Sequence, residues 1–502
     1  MRAYALFKRK VRLENAKKIL MAGTVAIAAL TVGCGTGAGG APPSPTKGSS
    51  IVNLYVTSAS NNQYAFFKIA LEGLSLTTSS GKSVNLITKT LAPDFIPVNG
   101  AYEPVATTTV PQGTYTGPRI TLGGATVGCV AIDPSSGAVV TGDNADQQVP
   151  PSDVSVTLPE PIAISGSSTA LSLKLVVSKS VTLSGCSANS TYSITPEFSL
   201  GIPKNVNFAS TSGLASQTGI LGRVTSVNAS SGVCTIEAAN VGNGLDWTVM
   251  TNSSTSFEGV SGLSALTPDM PVYVNLITEP DGSLVATRLQ VLDTSTRGLS
   301  ILSGPILQSA QVYSQSGSKN AVDYLLEVAA RGPLAGNANY FNFTQAKFET
   351  AGQFTNLENL PFVATFNDTT MVPGQRIVLT SHASTVIGSF PYTSASTVTL
   401  LPQTIDGTVT GISSDNGFKT YTVTLPSYDP FPLMPTAKGV PDQIADPNTV
   451  VVYADSNTLT DTSNSLSIGG VYRFHGLVFD NQGTLRMDSD WIRDGVAVGA
   501  NA

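Results

Sequence analysis

The sequence has few charged residues, few histidines and few cysteines. Only 12% of its 502 residues are Asp, Glu, Lys or Arg, about half the usual share in soluble proteins. Its two histidines and four cysteines occur in neither a C-x-x-C nor an H-E-x-x-H motif, so we expect no metal site. The Walker-type phosphate loop and the G-x-S-x-G motif of serine hydrolases are also missing. We therefore expect no cofactor and no catalytic machinery of these classes.

Glycine, proline, serine and threonine are abundant instead. The chain has 47 Gly and 30 Pro, and many short runs alternate apolar and polar residues, for example 154–158 and 169–177. Alternation with period two between Gly, Pro and Ser turns is typical of β-strands. The length also exceeds the roughly 250 to 300 residues at which one hydrophobic core stops growing. The sequence therefore predicts an all-β protein with several domains.

Residues 1–33 have the features of a secretory signal peptide. Seven basic residues between positions 2 and 18 precede an uncharged run over residues 19–33, which is too short to span a bilayer as a helix. The run ends in Leu30-Thr-Val-Gly-Cys34 and resembles the lipobox of bacterial lipoproteins, although that family usually has Leu three positions before the cysteine. The resemblance implies cleavage before Cys34 and lipid attachment there, so that the membrane is a partner through the N-terminal lipid.

Removal of this leader makes the chain more acidic. The leader contains seven of the 27 basic residues and one of the 33 acidic ones, which leaves a formal charge of −12. No cluster of Lys and Arg follows it, so nucleic acid is not expected as a partner. Gly35 follows the cysteine, and not the Asp that resembles an inner-membrane retention signal of enteric bacteria. In a Gram-negative host we therefore expect an outer-membrane location, facing either the periplasm or the cell surface. Residues 34–50, rich in Gly, Pro and Ser, are predicted to form a flexible tether.

The first folded block, residues 51–204, is predicted to be an antiparallel β-sandwich because alternating runs follow one another at short spacing. Its turn Val110-Pro-Gln-Gly-Thr-Tyr115 resembles those of transthyretin-like and carbohydrate-binding-like sandwiches. With the segments LEGLSLTTSSGKSVNL and VNGAY, the block resembles the bacterial family called domain of unknown function 4382. This resemblance implies the fold and says little about activity.

A weak internal repeat follows a linker at 205–218. Gly222-Arg-Val-Thr-Ser-Val227 corresponds to Gly407-Thr-Val-Thr-Gly-Ile412, and Gly304-Pro-Ile-Leu-Gln-Ser309 is a poorer copy. Further along, the runs that begin at Met270, Gly374 and Gly470 parallel one another, and Thr251–Phe257 resembles Ala454–Leu459. Such self-similarity indicates repeated domains.

We therefore predict three tandem small β-barrels, over residues 219–295, 296–402 and 403–502. The first resembles the family called domain of unknown function 5666, and the second has a long insertion around residues 332–358. Small barrels of this type resemble OB-folds, which bind oligomeric ligands on one face.

Two groups of residues are candidates for specific roles. Cys129 and Cys186 lie in or beside strands and would form a disulfide in an oxidising compartment, the alternative being two separate buried thiols. Aromatic residues at Tyr64 and Phe66, and at Tyr340 and Phe341, are candidates for exposed platforms that bind a glycan. The alternative for each is packing in a core.

These features favour a non-catalytic, lipid-anchored protein of the cell envelope with a binding or scaffolding role. Its ligand would be a polysaccharide or another envelope protein. Two alternatives remain open, namely a polysaccharide-active hydrolase that uses a carboxylate pair and a purely structural spacer. An enzyme would bring carboxylates together in a cleft, whereas a binding module would present a shallow face without them.

Overall fold

The structure is a computed structural model that describes residues 48–60, 64–132, 139–143, 147–149, 154–183, 191–203, 219–239, 246–279, 283–294, 300–311, 322–327, 338–343, 346–387, 390–426, 429 and 444–496. These described residues all belong to one compact unit. Helix in the described ranges is confined to one short α-helix and two 3-10 helices, at Val177–Ser180, Leu263–Ala265 and Leu357–Asn359. None of these could cross a membrane. The predicted signal peptide, Cys34 and the linker at 205–218 lie outside these residues.

The N-terminal block forms the sandwich. Its strands are β1 (Ser49–Ala59), β2 (Phe66–Thr78), β3 (Ser83–Ile87), β4 (Glu103–Pro111), β5 (Gly113–Ile132), β6 (Val139–Asp143), β7 (Gln147–Gln148), β8 (Ser155–Thr157), β9 (Ile162–Ile164), β10 (Ser168–Val176), β11 (Val181–Leu183), β12 (Tyr192–Ile194) and β13 (Glu197–Gly201). One sheet has the order β4-β1-β10-β13-β8, and the other is built around β3-β2-β5-β6. Side chains of both sheets share one core, for example Leu54, Phe67 and Leu173. Most pairs are antiparallel, but β1 with β10 and β13 with β8 run parallel.

Three further sheets follow, each of six strands. They comprise β14 (Gly219–Asn228), β15 (Val233–Ala238), β16 (Asp246–Met250), β17 (Ser256–Glu258), β18 (Pro271–Thr278), β19 (Leu284–Val291), β20 (Ser300–Gln311), β21 (Val322–Glu327), β22 (Ala338–Asn342), β23 (Lys347–Thr350), β24 (Arg376–Ile387), β25 (Phe390–Leu400), β26 (Gln403–Asp415), β27 (Phe418–Thr424), β28 (Thr449–Ala454), β29 (Leu459–Asp461), β30 (Val471–Asn481) and β31 (Thr484–Asp494). We call the sheets the first, second and third barrels.

The three barrels have the same topology. In the third, the order β28-β27-β26-β30-β31 is closed by a parallel pairing of β28 with β31. The first closes through β16 and β19, and the second through β22 and β25. A five-stranded barrel closed in this order is an OB-type barrel. The predicted fold class, an all-β chain with a sandwich followed by small OB-like barrels, is therefore confirmed.

One tight turn is repeated before the fourth barrel strand. The amides of Asp269, Gly374 and Gly469 donate to the carbonyls of equivalent residues in the first strand, Val224, Ile306 and Val409. All three turn residues have positive φ, at 73°, 95° and 86°, a region that favours glycine and tolerates aspartate. The hydrogen bonds place Gln375, not Gly374, at the position of Met270. The sequence alignment of the second copy was therefore wrong by one residue.

The segment between the third and fourth barrel strands covers one end of each barrel, and we call it the cap segment. The cap segments comprise residues 251–270, 343–375 and 455–470. The second is the longest, and its Phe362 packs against Tyr453 and Phe479 of the third barrel at ring distances of 4.9 and 6.0 Å. Gln353, in the same cap segment, accepts from Asn275 Nδ2 at 2.7 Å and donates to Asp490 at 3.0 Å. This cap segment thus joins the first and third barrels.

The third barrel also packs on the sandwich. Arg473 donates to the side-chain oxygen of Asn99 at 3.1 Å, and Thr404 donates to the carbonyl of Asn99 at 2.9 Å. A Cβ at Gly100 would lie 2.8 Å from the Trp491 ring, so the loop comes close to the barrel because it has glycine there. The four folded parts therefore form one body.

The repeated turn gives a test of its backbone requirement. At Gly469 no atom lies within 4 Å of an added Cβ, so Gly469→Ala should destabilise the protein by about 1 kcal/mol through backbone strain alone. Gly113→Ala is the matched control, because its surroundings are equally open and its φ is not in the left-handed region. Urea unfolding of both variants measures the difference, and equal stabilities would contradict the assignment.

Candidate functional site

An open groove of about 450 Å³ lies at one end of the third barrel. Antiparallel pairing of β27 with β28 brings Lys419, near the start of one strand, opposite Ala454 at the end of the other. These two residues and Tyr421 form one side. The cap segment forms the other side, with Asp455, Thr458, Thr460, Thr462, Ser463, Asn464, Ser465 and Leu466. The lining is therefore mostly hydroxyl and amide groups.

The cap-segment wall begins with a side-chain-stabilised turn. Asp455 Oδ1 accepts from the backbone amides of Asn457 and Thr458 at 2.8 and 3.0 Å. The hydroxyl of Thr458 donates to the carbonyl of Ser489 at 2.8 Å, which fastens the turn to β31. Asp and Thr favour such local hydrogen bonds. The turn in the first barrel has the same design, with Thr255 donating to Ala286 at 2.7 Å, as the sequence similarity of these two segments suggested.

The remainder of the wall is also held in place. Ser463 donates its backbone amide to Asp494 Oδ2 at 2.9 Å. The Tyr472 hydroxyl accepts from the backbone amide of Ser467 at 3.1 Å and donates to the Ser465 carbonyl at 3.4 Å. The groove is thus preformed by contacts to β30 and β31.

The three barrels differ in the residue at one position of the cap segment, and this position is exposed only in the third barrel. Phe257, Phe348 and Thr460 pair with Leu289, Val398 and Ile492, which occupy the same register position of the last barrel strand. Phe257 packs against the core of the first barrel. Phe348 packs between Phe343 and Phe366, at ring distances of 5.9 and 5.6 Å. Thr460 is exposed. An apolar plug in two barrels is therefore replaced by a hydroxyl in the third.

The predicted aromatic platforms lie elsewhere. Tyr64 and Phe66 are each only 3% exposed, and burial raises the pKa of Tyr64 to about 12. Their rings do not form an exposed platform, because both are buried at the start of β2, which begins at Phe66. Tyr340 and Phe341 lie on β22, but their side chains are outside the described part of the chain.

Cysteine chemistry is confined to structural roles in the described residues. Cys129 is 1% exposed and is held in a disulfide, while Cys186 lies outside the described residues, so the proposed pair stays a prediction. Cys234 is a free, buried thiol, and burial raises its pKa to about 11. A thiol in that state is a poor nucleophile at neutral pH.

Three carboxyl groups among the described residues have strongly raised pKa values, and none of them lines the groove. Burial, with a contribution from Asp94, raises the pKa of Glu103 to about 8. Burial raises the pKa of Asp406 to about 7, against the opposing effects of the Val496 amide and Arg473. Burial and the charges of Asp490 and Asp455 raise the pKa of Asp488 to about 7. The described residues contain no group of three or more His, Cys, Asp or Glu side chains able to hold a metal ion.

Comparison with known proteins identifies part of the chain. Residues 222–290 match the family described as a Domain of unknown function (DUF5666), which confirms the resemblance of the first barrel. No curated protein matches the chain.

Two solved structures show weak likenesses. One is a deletion mutant of the single-stranded DNA-binding protein from Thermus aquaticus, with 11% identity, a TM-score of 0.14, and coverage of 39% of this chain and 94% of that chain. The other is the tetrameric p202 HIN2, with 14% identity, a TM-score of 0.11 and the same coverages. Neither carries an argument at these scores.

Sequence reasoning missed the groove residues. Thr460 is one of many threonines, and it becomes informative only when strand register aligns it with Phe257 and Phe348. The similarity of Thr251–Phe257 to Ala454–Leu459 was the available signal. It aligns the same turn in two barrels, and this turn is followed by Phe257 in the first barrel and by Thr460 in the third.

The buried carboxyl of Asp406 predicts a pH dependence of stability. Its pKa is raised in the folded state, so its contribution is fully present below the unfolded pKa of about 4 and is lost as the pH rises through about 7. Asp406→Asn should therefore reduce the loss of stability between pH 5 and pH 8 by about 2 to 3 kcal/mol. Urea unfolding across this range tests the change, with Asp368→Asn at an exposed carboxyl as control. Parallel curves for the Asp406 variant and the wild type would contradict it.

Proposed function

We propose that the protein is a non-catalytic, lipid-anchored binding and scaffolding protein of the cell envelope, and that the groove of the third barrel holds a segment of polysaccharide. The observation that carries the proposal is the substitution of Thr460 for the phenylalanine plugs of the other barrels. It leaves an open, polar groove on a framework that is otherwise filled with apolar side chains.

The chemistry of the lining supports a glycan. Hydroxyl and amide side chains both donate and accept hydrogen bonds, as sugar hydroxyls do, and a volume of about 450 Å³ lies within the usual range for ligand sites. Lys419 is the one basic residue in the lining. A nucleic acid would require several phosphate contacts from basic residues, so the groove suits a glycan better.

The lining also favours binding over hydrolysis. A glycosidase generally needs two carboxyl groups on either side of the bond that it cleaves. The groove offers Asp455 alone, and that carboxylate already accepts backbone amides of the turn. The carboxyl groups with raised pKa values are located in strands outside the lining.

Packing of the four folded parts supports a scaffolding role. Separate modules could combine modest affinities through avidity. Contacts of Gln353, Arg473 and Phe362 instead connect the sandwich and barrels, so a bound glycan would be held on one body of connected domains. The sequence of residues 1–50 supports its attachment to a membrane through lipid on Cys34.

The groove is tested by copying the plug of the other barrels. Thr460→Phe should fill the groove and lower glycan affinity by about tenfold or more, with the fold intact because equivalent barrels accept phenylalanine there. Thr424→Phe is the control, since Thr424 is an exposed residue of the same barrel outside the lining. A glycan array followed by calorimetry with the best binder measures the effect. Equal binding by the Thr460 variant, or no glycan bound by the wild type, would overturn the proposal.

The anchor is tested at Cys34. In a bacterial host, Cys34→Ala should block incorporation of labelled fatty acid and move the protein from the membrane fraction to the soluble fraction, because a single lipid-bearing residue would be lost. Cys234→Ala serves as control for removal of a thiol. Membrane residence that is unchanged in the Cys34 variant would refute the anchor.

A further inference from the structure

We propose that Lys419 makes the groove selective for carboxylated glycans, such as polysaccharides that contain uronic acids. This inference rests on the proposed glycan-binding function and adds a ligand class to it.

Lys419 supplies a positive charge without a fixed counter-ion. Its side chain is exposed, and its ammonium group lies over the Tyr421 ring at 5.5 Å from the centroid. In the described part of the chain it has no carboxylate within 4 Å. Lys179, in contrast, is paired with Glu197 at 3.1 Å, and Lys347 is paired with Glu349.

The neighbouring carboxylate of Asp455 makes its hydrogen bonds within the turn and not to Lys419. Asp455 Oδ1 accepts from two backbone amides, and Asp455 Oδ2 accepts from Asn457 Nδ2 at 3.0 Å. These hydrogen bonds hold the carboxylate in the turn. The groove therefore contains the Asp455 carboxylate, which is hydrogen-bonded within its turn, and the Lys419 ammonium group, which is not paired with a carboxylate among the described residues.

Contact with the tyrosine ring holds Lys419 only weakly. A contact with the face of a ring leaves the three N–H donors of the ammonium group available for hydrogen bonds. A ligand carboxylate would therefore accept hydrogen bonds from the ammonium group, while the hydroxyl groups of Thr460 and Ser465 bind the sugar hydroxyls. The chain that remains after removal of the leader has a formal charge of −12. Long-range forces therefore repel an acidic polymer, so attraction must come from this local contact.

Matched ligand pairs test the inference with the full-length protein. The probes are tetramers of galacturonate and of a glucuronate-containing glycan, each compared with its uncharged methyl ester by calorimetry. We expect the wild type to bind at least one acidic tetramer about tenfold more tightly than its ester. Lys419→Gln should bring the ratio of acid to ester affinity to about one, Lys419→Arg should retain the preference, and added salt should reduce it.

The outcomes separate this inference from the function on which it rests. Equal wild-type affinity for acid and ester, or a Lys419→Gln variant that loses both equally, would overturn the selectivity. Absence of binding to all four probes would overturn it as well. If none of the four probes binds, but the wild type binds a neutral glycan and Thr460→Phe abolishes that binding, the proposed glycan-binding function still stands.

Discussion

The hydrogen bonds of Gln353 are the contacts on which the arrangement of the barrels depends. One amide accepts from Asn275 of the first barrel and donates to Asp490 of the third. Gln290 makes a second bridge, donating to the carbonyl of Thr350 at 3.2 Å and accepting from the amide of Gly352 at 3.0 Å. An amide paired at both ends satisfies buried polar groups without the desolvation of a buried charge. Together with Arg473, which joins the third barrel to the sandwich, these amides fix the domains of a chain that has few charged residues.

Packing of the second cap segment also explains the difference between the barrels. Two aromatic residues of that segment pack against barrels, with Phe362 against the third barrel and Phe348 within the second. The first cap segment covers its own barrel with Phe257, Val260 and Leu263. In the third cap segment Leu466 is the residue that packs against the core. Whether the groove position of a barrel is open therefore depends on where the apolar residues of its cap segment pack.

The barrels could be predicted from sequence because their repeat is local. The carbonyls that accept the hydrogen bond of the repeated turn belong to Val224, Ile306 and Val409. Each lies two residues after a glycine of the sequence repeat, namely Gly222, Gly304 or Gly407, so the sequence repeat and the hydrogen bonds mark the same position. The groove could not, because Phe257 and Thr460 become comparable only through their pairing with β19 and β31. Tyr64 and Phe66 show the same limit, since an aromatic residue beside a strand looks alike in sequence whether it faces the core or solvent.

The groove and the junction between the barrels are joined through adjacent residues of one strand. Ser489 accepts the Thr458 hydroxyl that fixes the groove wall. Asp490, the next residue, accepts from Gln353 and is hydrogen-bonded to His475 Nδ1 at 2.6 Å. His475 in turn stacks on Trp491, with ring centroids 4.9 Å apart. Because folding already orders this wall, a ligand would not bear the cost of ordering it. The proposed glycan would then need fewer polar contacts to bind in this groove.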